Sequence, residues 1–357
     1  MDRIILAIKS ETFRYTEAFP HSKKRDHFQR QEMLLYGFKK KPQDVKFREA
    51  ALQWYSLRRE SQRITGRTLL GYKSYLDGYL IPFFGDMTFS QLNAAAFENF
   101  ISWARKRKLT KKINKFFIPL KLICKHVAIE YGWAGTFDPF FGFKKLPESD
   151  PAEKIFPFSL KEQKQVSEAL PEHWRPYFDF AFCSGLRPGE QIGLKADDID
   201  WQRGILHVRR AITMDEEGNR IEGETKNRYS RRKIKLTEVM FDALRRQKAI
   251  YDSFQGEYFF CTENGGRLYL SNLRQYVWTP AVKRAKVRMR EMKQTRHSFA
   301  TNALSFGESP LWIAKVMGHC NTEMIIKVYS RYIEDAKGTR DGDSLTNAYR
   351  GLQANKE

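Results

Sequence analysis

The sequence predicts a mainly α-helical protein with a small antiparallel β-sheet, in which a helical domain precedes an α+β domain. Three observations carry that expectation. Apolar residues recur at helical spacing over most of the chain, one short stretch between about 199 and 236 turns at glycines, and the run FGFKKLPESDPAEKIFPFS is rich in proline and charge, as a linker is. At roughly 150 residues per domain, 357 residues predict two or three domains. The expected divisions are an N-terminal appendage at 1–44, a helical domain at 45–147, a linker at 148–158, an α+β domain at 159–336 and a tail at 337–357.

The elements follow in order. The first forty-odd residues, ending in SKKRDHFQR and GFKKKPQD, predict no complete fold. From Thr68, the stripe Tyr72, Tyr75, Leu76, Tyr79, Leu80 has the spacing of a helix with one buried face, which Pro82 should end. Thr88-Phe89-Ser90-Gln91 reads as a capping box opening a helix through Phe97, Phe100 and Ile101, and another helix is expected from Ile113 to Tyr131. Between them ARKRKLTKKINK gathers Arg105, Lys106, Arg107, Lys108, Lys111 and Lys112, either a phosphate-contacting ridge or a solvated loop.

Ser159-Leu160-Lys161-Glu162 is a second capping box and opens the next domain. IDWQRGILHVRRA turns at Gly204, DEEGNR turns at Gly218, and RRKIKL closes an expected antiparallel meander. Helices resume at Thr237. After NGGRLYLS they continue through HSFATNAL, stop at Gly307, restart at Pro310 and stop again at Gly318; the last runs from about Thr322 to Ile333. The scattered Trp and Phe side chains are expected to be core.

Charge narrows the function. With 63 basic and 42 acidic side chains the formal charge is +21, more than solubility requires, while 41% hydrophobic and 14% aromatic residues suffice for a folded core. A polyanion is the expected partner, and nucleic acid suits this composition better than a membrane. No run of about 18 apolar residues occurs, and MDRIILAIKSETFRY is too short an apolar stretch for a secretory signal, so a cytoplasmic protein is expected. The four cysteines, Cys124, Cys183, Cys261 and Cys320, form no CxxC pair and support neither a disulfide scaffold nor a zinc knuckle.

Nucleotide-binding P-loops, GxGxxG turns, HExxH helices and GxSxG elbows are all missing from the sequence. Asp197, Asp198 and Asp200 could hold Mg²⁺, yet no further acidic cluster completes a two-metal site, and a capping and turn role is preferred. A different constellation begins at Ser184-Gly185-Leu186-Arg187-Pro188-Gly189-Glu190, where Gly185 permits an unusual turn, Arg187 presents its fork at a helix start and Glu190 can orient that fork. Lys226 in ETKNRYSRR, Arg296 in KQTRHSFAT, His319 in MGHC and Tyr329 in KVYSRY follow. Together they suggest phosphoryl chemistry without a metal: two guanidiniums for a phosphate, a lysine acid, a histidine donor and a tyrosine nucleophile.

In these motifs, SGLRPGE, TKN before a basic strand, RHSFAT, and MGH followed by a tyrosine, the sequence resembles the tyrosine recombinases, also called phage integrases, over roughly residues 60 to 340. The resemblance implies a helical core-binding domain and an α+β catalytic domain that clamp double-stranded DNA, with no cofactor or metal. It implies that Arg187 and Arg296 hold the scissile phosphate, Lys226 protonates the departing 5′ oxygen, His319 donates to a non-bridging oxygen and Tyr329 attacks, leaving a 3′-phosphotyrosyl link. It also implies a homotetramer on synapsed recombination sites, with DNA-bending and direction-control accessory proteins as further partners. The 1–44 segment stands where such proteins carry an arm-binding region, and the 337–357 tail where a segment packs on the neighbouring protomer. One position departs from the family: the usual histidine three residues before the second arginine is Lys293, suited to contacting phosphate as a point charge and a poor base.

Each residue also has a plainer reading. His297 would be a packing or hydrogen-bonded structural residue, and His319 a helix C-cap donor. Tyr332, one turn beyond Tyr329, competes as nucleophile. A type IB topoisomerase would use the same groups, and a non-catalytic DNA-binding protein would account for the charge while leaving Tyr329 idle.

Overall fold

A computed structural model describes residues 45–109, 113–148, 153, 155–224 and 230–329. They form two compact units, one drawn from Met1–Glu148 and Met214–Asn219, the other from Ser149–Thr213 and Arg220–Glu357.

The first unit is helical: α1 (Phe47–Glu60), α2 (Gly66–Tyr75), the single turn α3 (Ile81–Phe84), α4 (Ala94–Lys106) and α5 (Ile113–Glu130). Its core is largely aromatic, with Phe47, Trp54, Phe84, Phe89, Phe97, Phe100, Phe116 and Trp133 fully buried. The rings pack edge to face, as Tyr75 on Phe116 at 5.0 Å and Phe83 on Phe100 at 5.3 Å, which favours the ring quadrupoles while filling volume. The predicted stripe is present, with Leu76 and Leu80 buried and Tyr72, Tyr75 and Tyr79 packed against the core. Pro82, however, does not end the helix. The backbone widens into a π-helical turn at Leu76–Leu80, and the proline falls in the first turn of α3, where its missing N–H is tolerated. The Thr88 capping box also opens less than expected. Gln91 Oε1 accepts from the Thr88 backbone N at 2.8 Å, but only a 3₁₀ turn at Phe89–Gln91 follows; α4 starts afresh at Asn93, whose Oδ1 accepts from Ala96 N at 3.0 Å.

In the second unit α6 (Leu160–Ala169) opens on the Ser159 box, with Glu162 N donating to Ser159 Oγ at 3.2 Å and Ser159 N to Glu162 Oε2 at 2.9 Å. Then come α7 (Arg175–Ser184) and the single turn α8 (Pro188–Gln191), followed by strands β1 (Ile199–Asp200), β2 (Ile205–Val208), β3 (Arg210–Met214), β4 (Arg220–Glu224) and β5 (Arg232–Lys235). Helices complete it: α9 (Glu238–Phe254), α10 (Leu270–Asn272), α11 (Thr279–Arg284), α12 (Gln294–Ser305), α13 (Pro310–Met317) and α14 (Glu323–Tyr329). The strands do not make the expected meander. β3 and β4 pair by themselves, while β5 returns to β2, giving the order β1-β2-β5. Register explains the choice: Leu206 lies opposite Ile234 and both are buried, so pairing β5 with β2 joins two apolar faces over the core. That core surrounds α7, whose Phe178 and Phe182 pack on Trp278. No helix among the described residues is long and apolar enough to cross a membrane.

Candidate active site

Helix α7 ends at Gly185, which takes the left-handed conformation at φ 61°. Any side chain there would be strained and its Cβ would collide with the Phe299 ring. The reversal places Arg187 at the N-cap of α8, with Pro188 pre-set for the first helical position. Glu190, one turn on, fixes Arg187 at both ends: Oε2 accepts from the Arg187 backbone N at 3.0 Å and Oε1 from Nη1 at 2.7 Å. Arg187 Nη1 also donates to Ser230 Oγ at 3.1 Å and Nη2 to Gly318 O at 3.2 Å.

Arg296 enters from the first turn of α12. It donates to Gly185 O, to Met317 O at 2.9 Å and, through Nη2, to His319 Nε2 at 2.9 Å. His319 follows Gly318, whose φ of 68° ends α13 and turns the imidazole back toward Arg296. The C-cap contact expected of His319 is made by its backbone N, which donates to Ala314 O at 2.9 Å, so the side chain is left for the site. Three separate chain segments thus bring Arg187, Arg296 and His319 together.

A third guanidinium supports them. Arg232 on β5, its side chain 6% exposed, donates to Glu190 Oε2 at 3.1 Å, Val316 O at 2.7 Å and Ser230 O at 2.7 Å. Sequence reasoning overlooked it. The signal was the alternation of RRKIK, which puts Arg232 on the same face as buried Ile234. Glu190 therefore carries two arginines; burial pushes its carboxyl up, but the charges of Arg232 and then Arg187 outweigh that and hold it below the usual range. Burial, then repulsion from Arg187, lowers Arg296 to about 9, still charged at neutral pH. Burial, then Arg296 and Arg187, lowers His319 to about 4, so its imidazole is neutral. Among the described residues of the site, three guanidiniums against one carboxylate leave a surplus of positive charge, an environment made for an anion.

The tautomer of His319 follows from its neighbour. A guanidinium can only donate, so Nε2 accepts and the neutral ring carries its hydrogen on Nδ1. That Nδ1 is buried and meets no partner among the described residues. A buried donor left unmade costs about 1–3 kcal/mol, which an acceptor oxygen entering the site would recover.

Tyr329, at the end of α14, is 3% exposed, and its Oη lies 2.7 Å from His297 Nδ1. The expected structural role for His297 is met in part, since the ring is hydrogen-bonded, but the bonded atom is the candidate nucleophile, which the sequence did not reveal. Lys293 sits at the N-cap of α12 with its side chain 57% exposed and paired with Glu291 Oε2 at 2.8 Å. Lys226, Tyr332, Lys111 and Lys112 lie outside the described residues. Arg105, Lys106, Arg107 and Lys108 are exposed at the C-terminal end of α4, Arg107 stacked over Trp103 at 4.0 Å. The aspartates act as caps: Asp198 Oδ2 accepts from Lys195 N at 2.9 Å and pairs with Arg210, and Asp200 Oδ1 accepts from Arg203 N at 2.9 Å.

Known proteins resemble this one in both sequence and fold. The prophage integrase IntR of Escherichia coli strain K12 is 31% identical over 260 residues, 65% of this chain, and the chain spans 60% of that relative's length. The Tn1549 transposon integrase, in complex with a circular intermediate DNA, superposes with a TM-score of 0.64 at 16% identity over 84% of this chain and 98% of that one. A lambda integrase tetramer bound to a Holliday junction gives a TM-score of 0.60 at 16% identity, over 82% of this chain and 79% of that one. These likenesses show a shared fold, mainly α with small antiparallel sheets. Residues 150–335, which hold every element of the site just described, match the model of the Phage integrase family, and the chain belongs to that family.

Proposed function

We propose that this chain is a site-specific DNA recombinase that cuts and rejoins double-stranded DNA through a 3′-phosphotyrosyl intermediate, as a prophage or mobile-element integrase. The observation that carries this reading is the convergence of Arg187, Arg296 and His319 on one electropositive spot, with the buried Nδ1 of His319, which meets no partner among the described residues, in it and the Tyr329 phenol held by His297, the residue after Arg296. The two guanidiniums bind the non-bridging oxygens of the scissile phosphate, where negative charge builds as the fifth bond forms. His319 donates to one of them, and Lys293 adds a further phosphate contact. Tyr329 Oη attacks phosphorus; the bond to the 5′ oxygen breaks, and Lys226 supplies that oxygen's proton. The new ester keeps the phosphodiester energy for religation, so neither ATP nor a metal cofactor is called for.

Around this centre, residues 45–147 serve as the core-binding domain, 148–158 as the linker and 159–336 as the catalytic domain. Arg105, Lys106, Arg107, Lys108, Lys111 and Lys112 contact the DNA backbone. The working assembly is a homotetramer on synapsed sites, with 337–357 packed on the neighbouring protomer and 1–44 as part of an arm-binding region. DNA-bending and direction-control proteins join it, in the cytoplasm. The tetrameric state of lambda integrase on its junction supports this arrangement.

The test is a pool of nicked duplexes with a randomised central segment, which trap the cut strand on the protein. Denaturing electrophoresis should show a covalent adduct with the wild type and none with Tyr329→Phe. Salt-sensitive binding without any wild-type adduct would establish a passive binder instead, and an adduct lost only in Tyr332→Phe would move the nucleophile.

A further inference from the structure

We propose that His297 holds the Tyr329 phenol and receives its proton during attack, the role that Lys293 cannot fill. This rests on the reading of Tyr329 as nucleophile. The two rings are 5.8 Å apart and the 2.7 Å contact joins Nδ1 to the reacting oxygen itself. With the imidazole hydrogen on Nε2, the Nδ1 lone pair faces the phenolic O–H. Lys293 stands one helical turn before His297 on α12, yet it carries no lone pair when charged, is largely solvated and is engaged by Glu291. The place a base would occupy by sequence is therefore shifted one turn, to a side chain already on the hydroxyl.

The surroundings keep His297 ready. Burial first, then Arg296 and Lys293, lower it to about 4, so at neutral pH it is an unprotonated acceptor. An incoming phosphodiester offsets the cationic repulsion just as the proton moves. The step balances: the proton passes from Oη to Nδ1, the Oη–P bond forms, the P–O5′ bond breaks and the departing oxygen takes a proton from Lys226. Religation runs each transfer backwards and returns the proton from Nδ1 to Oη.

The experiment uses the full chain and a nicked duplex recovered by adduct capture from the randomised pool. His297→Asn keeps an acceptor near the Nδ1 position but cannot take a proton. We expect adduct formation to slow about 100-fold or more, the usual contribution of a general base. Replacing Tyr329 by a fluorinated tyrosine of lower pKa should restore at least ~10-fold of that loss in His297→Asn and change the His297 protein far less. A merely structural histidine would leave the deficit equal with either tyrosine, and that result, or an unslowed His297→Asn, overturns the proposal. An adduct that persists in Tyr329→Phe overturns the nucleophile assignment instead, which separates the two failures.

Discussion

Glu190→Gln is the change with the largest expected consequence for its size. The carboxylate is 2% exposed and bonds Arg187 at 2.7 Å and Arg232 at 3.1 Å, while also capping the Arg187 backbone N. Gln keeps the volume and one acceptor oxygen but removes the carboxylate charge that, among the described residues, pairs with Arg187 and Arg232 beside the third guanidinium, Arg296. Breaking a buried ion pair by neutralising one partner costs about 3–5 kcal/mol, because the remaining charges stay buried without compensation. At roughly 2–4 °C per kcal/mol for a unit of this size, the melting temperature should drop by about 6–20 °C at pH 7. The pH dependence fixes the cause. A carboxyl held below its ordinary pKa in the fold stabilises above the unfolded value of about 4.3, and that contribution vanishes as pH falls through the folded value. Denaturation curves of the two proteins should therefore lie well apart at pH 7 and converge only as pH falls through the lowered folded pKa of Glu190, below which the protonated side chain resembles Gln. Equal stability at pH 7, or a gap that persists unchanged in acid, would refute the view that this carboxylate balances the arginines.

Arg187→Ala and Arg296→Ala should leave overall DNA affinity within about tenfold of the wild type while adduct formation falls by orders of magnitude; binding isotherms and trapped adduct measured together decide it, and equal losses in both would contradict a transition-state role. His297 and His319, both lowered to about 4, make the folded state bind fewer protons than the unfolded chain between pH 4 and 6.5, so stability should decline as pH is lowered through that window. His319→Gln should flatten the decline, read as the slope of unfolding free energy against pH.

Much of this was written locally. Gly318 could be read as a helix stop and Gly185 as an unusual turn because only glycine takes a positive φ without strain, and Arg187 and His319, which follow them, inherit their directions from those turns. Ser159 and Thr237 announced helix starts through side chains that reach only three residues onward. Local signals misled where a distant partner intervened. Pro82 breaks an α-helix but is carried by a π turn, and RRKIK could pair with either neighbour until burial of Ile234 against Leu206 selected β2.

The chain's own chemistry, then, settled the kind of protein: excess basic charge, glycine-directed turns, and one Arg, Lys, Arg, His and Tyr in an order that few reactions need. Only the fold decided who touches whom. Arg232 became the partner of Glu190 because β5 lies against β2, and His297 became the neighbour of the Tyr329 hydroxyl because α12 and α14 meet across the core. Such contacts join residues 32 and 42 positions apart, beyond the reach of any periodicity, and are fixed by packing the apolar faces of separate elements.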